Sequence, residues 1–230
     1  MRMPEEINRI LTDQISALLF CPTQVAIENL SNEGFKKREC KLINVGDVMY
    51  DAALYYAAKS KRPASLNIEE DFVLVTIHRA DNTDNEDRLK NIVNALNKIN
   101  ESVSVVCPVH PRTRKVIANL SEKPKFDMIE PVSYFEMIWL INNCKMVITD
   151  SGGLQKEAYF FKKYCITIRE QTEWVELVNS GHNTLVAADT DKIVELFYSG
   201  MDSPTNEFIP FYGDGTAAGK IIKHILEYSK

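Results

Sequence analysis

Little in this 230-residue sequence points toward nucleic acid or a membrane. There is no basic excess: 27 Lys and Arg stand against 32 Asp and Glu, for a net charge of −5. Without clustered cations, a nucleic-acid footprint is not expected. Long apolar runs are also missing. The longest, Met137 to Thr149, is too short to span a bilayer and is broken by Asn142, Asn143 and Lys145. The opening Met-Arg-Met-Pro-Glu-Glu has no apolar core behind it, so no signal peptide is expected there. The five cysteines (Cys21, Cys40, Cys107, Cys144 and Cys165) are odd in number, and none stands in a C-x-x-C pair. That usage suits reduced, packed thiols in the cytoplasm and argues against zinc.

What is present is a regular alternation. From Asp71 onward, β-rich runs occur at Phe72–Ile77, Val103–Cys107, Phe126–Ile129, Met146–Thr149, Cys165–Ile168 and Thr184–Val186. Helical patterns lie between and after them, at Glu86–Ile99, Arg114–Leu120, Tyr134–Asn143, Leu154–Phe161, Glu173–Asn179 and Lys192–Tyr198. Strands alternating with helices of this length predict βαβ units and a doubly wound parallel α/β sheet. The runs Val-Leu-Val-Thr-Ile and Met-Val-Ile-Thr are apolar on both faces, as strands covered on each side should be. The first 60 residues read differently, as short strands at Leu19–Cys21 and Lys41–Asn44 among helices. The expected organisation is therefore a fragmentary domain over 1–45, a connecting helix and linker over 46–67, and an α/β domain over 68–230 ending in a helix at Ala217–Tyr228.

In open parallel sheets, ligands bind beyond the carboxyl ends of the strands. The residues there are His78-Arg79-Ala80-Asp81-Asn82, Pro108-Val109-His110-Pro111-Arg112, Asp150-Ser151-Gly152-Gly153 and Arg169-Glu170-Gln171-Thr172-Glu173. Histidines, arginines and a turn of small residues at one edge suit an anionic ligand. Ser151, Gly152 and Gly153 open a helix, where unpaired amides and the absence of bulk admit a phosphate. Glu157 lies about a turn inside; a carboxylate suits a ribose diol rather than a phosphate. Each residue has an ordinary alternative: a tight turn for the glycines, a dipole partner for Glu157, a hydrogen-bonded structural role for His78. Their coincidence at one edge favours a nucleotide.

Four stretches, Asp-Ser-Gly-Gly-Leu-Gln-Lys-Glu-Ala (150–158), Ile-Arg-Glu-Gln-Thr-Glu-Trp (168–174), Thr-Ile-His-Arg-Ala-Asp-Asn (76–82) and Pro-Glu-Glu-Ile-Asn-Arg (4–9), together resemble the non-hydrolysing UDP-N-acetylglucosamine 2-epimerases. The resemblance runs from Pro4 to the Tyr-Gly-Asp-Gly loop at 212–215. It implies a glycosyltransferase-B-like architecture of two Rossmann-like domains, of which this chain holds the C-terminal half and a remnant of the other. It also implies interconversion of UDP-GlcNAc and UDP-ManNAc by elimination and re-addition of UDP, with neither metal nor other cofactor. By the same resemblance, Ser151, Gly152 and Gly153 form the diphosphate turn and Glu157 holds the ribose. His78 and Arg169 bind the diphosphate, Phe135 is the candidate beside the uracil, and Glu5 is a catalytic carboxylate.

Two departures stand out. Family members carry a longer N-terminal stretch, with a His-Val-Glu-Ala-Gly motif and an upstream aspartate that supply further carboxylates; neither is found here. The expectation is a chain shortened at its N-terminus that binds UDP but has little activity alone, and that self-associates through the surface left uncovered, at Leu18, Leu19 and Phe20. Trp174 also stands where an arginine is common. Two other readings share parts of this pattern: a glycosyltransferase-B-type half-domain that presents a UDP-sugar, and a non-enzymatic oligomeric binding protein.

Overall fold

Six of the apolar runs pair in parallel in the computed structural model, which describes residues 4–68, 71–202 and 207–229, with side chains over 6–68, 71–201 and 207–229. The chain divides into two units, Met1–Tyr55 with Ile209–Lys230, and Tyr56–Phe208. The first contains α1 (Pro4–Ile15), β1 (Leu18–Cys21), α2 (Gln24–Asn32), a short 3-10 turn (Phe35–Lys37), β2 (Lys41–Asn44) and most of α3 (Val48–Ala57). The second runs β3 (Phe72–Thr76), α4 (Ala80–Thr83), α5 (Glu86–Asn100), β4 (Ser104–Pro108), α6 (Pro111–Asn119), β5 (Asp127–Ile129) and α7 (Tyr134–Asn143). It continues through β6 (Met146–Thr149), α8 (Gly152–Phe160), β7 (Cys165–Ile168), α9 (Val175–Asn179), β8 (Asn183–Val186) and α10 (Thr190–Asp202); α11 (Ala217–Tyr228) returns to the first unit.

The larger sheet has the order β5-β4-β3-β6-β7-β8, with every pairing parallel. The chain winds outward from β3 to β5, then returns to place β6 on the other side of β3. The direction of winding therefore reverses between β3 and β6, where Thr76 pairs with Thr149. Side chains alternate across the strands. Val73 and Val75 pack with Leu89, Ile92 and Leu96 of α5, Ile117 of α6 and Phe197 of α10 on one face. Phe72 and Leu74 pack with Leu140 and Ile141 of α7 and Leu154 and Ala158 of α8 on the other. Burial on both faces explains why these strands read as continuous apolar runs.

Helix starts deviate from the sequence expectation for local reasons. Helix α6 begins at Pro111 rather than Arg114, because Pro fits the first helical position and His110 Nδ1 accepts from the Arg112 amide at 3.3 Å. The one-turn α4 was not expected.

In the first unit, β1 and β2 form a two-stranded parallel sheet. Asp51 accepts from the amides of Ala217 and Ala218 (3.0 and 2.8 Å), which ties α3 to the start of α11. Gly46 has φ +88° and lies against the Tyr212 carbonyl, so the Tyr-Gly-Asp-Gly loop requires glycine there. Apolar exposure falls on Ile7, Leu11 and Ile15 of α1 and on Ile222, Ile225 and Leu226 of α11. Leu19, expected at an open surface, is buried, because strand pairing and α2 cover it. No helix among the described residues is long and apolar enough to cross a membrane.

Candidate functional site

Strand β6 delivers the Ser-Gly-Gly turn to the switch point. Thr149 and Thr76, on adjacent strands, share a hydrogen bond at 2.6 Å, and Thr149 Oγ1 accepts from the Ser151 amide at 2.9 Å. Ser151 has an extended backbone (φ −79°, ψ 129°) and caps α8, its hydroxyl oxygen accepting from the Leu154 amide at 3.4 Å. The amides of Gly152 and Gly153 open the helix, where no carbonyl precedes them to serve as an intrahelical acceptor. With no side chain on either residue, an anion can reach this backbone.

Asp150, one residue before the turn, is fully buried and surrounded by donors. It accepts from the His78 amide (3.1 Å), the Arg79 amide (3.1 Å) and Asn82 Nδ2 (3.1 Å), and its Oδ1 lies 3.0 Å from His78 Nδ1. Asn82 also donates to the Ile168 carbonyl at 3.2 Å and accepts from Arg88, so the segment 78–82 is fastened to two strand ends. Burial pushes the Asp150 carboxyl up, but the hydrogen bonds from His78 and Asn82 outweigh it and hold the carboxyl below its usual range. The same hydrogen bond raises the His78 imidazole above its ordinary 6.5, against the opposing effects of burial and Arg79.

His78 thereby stabilises the fold fully below pH 6.5, and that stabilisation is lost as pH rises through the raised value. By proton NMR, the His78 ring should titrate with a midpoint above 6.5; a midpoint at or below 6.5 would contradict the ion pair.

Beyond β7, the segment 169–174 lies across the turn. Gln155, on α8, donates to the Ser151 carbonyl (3.1 Å) and accepts from Thr172 Oγ1 (2.7 Å) and Asn183 Nδ2 (2.9 Å). Trp174 Nε1 donates to the Gly152 carbonyl at 2.8 Å, and Lys156 Nζ lies 4.3 Å from the centre of its ring. Trp174 thus braces the turn itself. Arg169 Nη1 is 3.0 Å from Glu173 Oε2.

A cavity of about 340 Å³ brings together His78, Ser151, Gly153 and Glu157, with Pro108, Val132 and Met137 as apolar walls. Glu157 is 9% exposed. Burial pushes its carboxyl up, opposed by the Tyr134 hydroxyl and by Lys156. Tyr134 is pushed up to about 12 by burial and by Glu157. Arg169 lines a smaller neighbouring hollow with Arg79 and Arg88. Phe135 is not among the cavity walls; it packs edge-on against Tyr56 at 5.4 Å, while Met137 and Val132 provide the apolar surface. Glu5 falls in the first turn of α1, and its side chain lies outside the described residues. Asp150, Tyr134, Glu173 and Trp174 join the site from the structure. A larger hollow of about 590 Å³ lies in the first unit, but Arg9, which lines it, is already paired with Glu6, Asp13 and Glu33.

The model of the UDP-N-acetylglucosamine 2-epimerase family matches residues 1–226. The chain belongs to this family. It is 53% identical to a UDP-2,3-diacetamido-2,3-dideoxy-D-glucuronate 2-epimerase of Pseudomonas aeruginosa, over 99% of this chain and 64% of the relative. It is 40% identical to the UDP-N-acetylglucosamine 2-epimerase of Methanocaldococcus jannaschii, over 99% of this chain and 65% of the relative. The crystal structure of the latter organism's UDP-GlcNAc 2-epimerase, in complex with UDP-GlcNAc and UDP, superposes with a TM-score of 0.83 at 38% identity, covering 98% of this chain and 65% of that one. The expected Rossmann-like α/β class of a glycosyltransferase-B-like architecture is met. The chain spans just under two thirds of the length of these epimerases.

Proposed function

We propose that this chain carries the UDP-sugar site of a non-hydrolysing UDP-GlcNAc 2-epimerase. The observation that carries the reading is the cavity in which the Ser151–Gly153 turn, His78 and Glu157 meet at the switch point of the sheet. The diphosphate is assigned to the amides of Gly152 and Gly153, the Ser151 hydroxyl, His78 and Arg169, and the ribose hydroxyls to Glu157. The uracil is assigned to the apolar side of the cavity, beside Val132 and Met137 and not against Phe135. In epimerisation by elimination, the C2 proton is weakly acidic, so the departure of UDP needs help. Donors fixed around the diphosphate stabilise the charge that develops there. Glu5 is assigned to acid or base work at the sugar.

The chain alone is proposed to bind UDP and UDP-GlcNAc, whereas turnover draws on carboxylates that the resemblance assigns to the family's longer N-terminal stretch. With UDP-GlcNAc in deuterated water, the expected outcome is a raised melting temperature with slow or no solvent exchange at C2. Brisk formation of UDP-ManNAc would overturn that division of roles, and transfer of the sugar to an acceptor would favour a glycosyltransferase instead. A second substrate reading has its own support: the relative at 53% identity acts on a UDP-linked 2,3-diacetamido-glucuronate, against 40% for the UDP-GlcNAc enzyme. Under that reading, the UDP-diacetamido-glucuronate raises the melting temperature more than UDP-GlcNAc does.

A further inference from the structure

One carboxylate sits beside the turn to which the proposed reading assigns a phosphate. Glu173 Oε1 occupies the space that a Cβ on Gly152 would need, and the guanidinium of Arg169 borders the same space. The other oxygen, Oε2, lies 3.0 Å from Arg169 Nη1. A single anionic group thus lies beside Gly152 and pairs with the arginine that is assigned to the diphosphate. It does so from a backbone held on both sides: Thr172 donates to Gln155 Oε1 at 2.7 Å, and Trp174 donates through Nε1 to the Gly152 carbonyl at 2.8 Å and through its amide to Thr172 Oγ1 at 3.2 Å. The Glu173 side chain is 43% exposed, so it can rotate into solvent without disturbing those anchors, whereas Arg169 is only 14% exposed and stays in place.

We infer that Glu173 is a built-in competitor for the diphosphate, holding the phosphate position and neutralising Arg169 in the empty site, and leaving when the ligand arrives. The inference rests on the diphosphate reading above. The carboxylate is held there by a partly exposed ion pair with Arg169. A phosphate, with more charge and more acceptor oxygens, displaces it and takes both partners. The function that follows is control of affinity. The site is never an uncompensated cluster of positive charge, and the returning carboxylate assists release of UDP. Glu173 also screens against ligands that carry too little negative charge to displace it.

The test is the affinity of UDP for the full 230-residue chain and for Glu173→Gln, by calorimetry. Removing the competing charge while keeping the shape is expected to tighten UDP binding roughly threefold to tenfold, the range of a partly exposed ion pair no longer broken on binding. Uridine, which has no phosphate to compete, should show no such gain. Glu173→Asp, with a shorter reach toward the turn, should fall between the two. Unchanged or weaker UDP binding by Glu173→Gln, with wild-type binding intact, would show that Glu173 only positions Arg169 and would overturn the inference while sparing the diphosphate reading. Absence of UDP binding by both proteins would overturn both. Since Glu173 is partly exposed, both variants should fold, and matching circular dichroism melts would establish it.

Discussion

Replacing Asp150 with alanine should lower folding stability by about 3 kcal/mol, the scale for breaking a buried, hydrogen-bonded charge pair. Three separate donors, the amides of His78 and Arg79 and the side chain of Asn82, would lose their shared acceptor in a place water does not reach. Buried donors left unpaired cost about 1–3 kcal/mol each before relaxation, so even partial rearrangement leaves a large deficit. Against a typical total stability of roughly 5–15 kcal/mol, that is a substantial fraction. Urea denaturation monitored by circular dichroism reads it directly, and a loss below about 1 kcal/mol would show that the cluster is not structural in the way described. The same substitution should return the His78 titration toward an ordinary imidazole, because the partner that raises it is gone.

The second large effect concerns binding. Arg169→Ala should weaken UDP by about 1.5–3 kcal/mol, or roughly 10- to 150-fold in Kd, since it removes a charged donor from beside the glycine turn. Arg169 is mostly sequestered and lies against the turn, so solvent screens it less than it would a surface cation. Lys98→Ala, which removes an exposed partner of Asp191 on α5, serves as the control and should leave UDP affinity unchanged. Equal affinities for Arg169→Ala and wild type would remove Arg169 from the assigned site.

Much of this was legible in the chain. Strands apolar on both faces, at Phe72–Thr76 and Met146–Thr149, announce a sheet covered on each side, and the polar residues after them fall at the edge where parallel sheets receive ligands. The family resemblance rested on three of these strand-end segments and on Pro4–Arg9, and the match over residues 1–226 agrees with it.

What stayed out of reach depends on side chains meeting across long separations. Asp150 reads as an ordinary residue before a turn until β6 is seen beside β3, which brings it onto residues about seventy positions earlier. Tyr134 opens a segment expected beside the uracil, but its contact with Glu157 depends on how α7 and α8 pack on the same face of the sheet. Trp174 looked like a loss of charge, but the folded loop turns its indole N–H toward the Gly152 carbonyl. Local capping decides smaller matters, such as the start of α6 at Pro111, which periodicity alone sets one turn late.

Titrating the protein with UDP and, separately, with uridine in a calorimeter most directly tests whether the Ser151–Gly153 turn receives a diphosphate. UDP should release heat and saturate at one site per chain, with uridine binding far more weakly because it has nothing to offer the turn, His78 or Arg169. No heat with UDP, or equal affinity for UDP and uridine, would contradict the account.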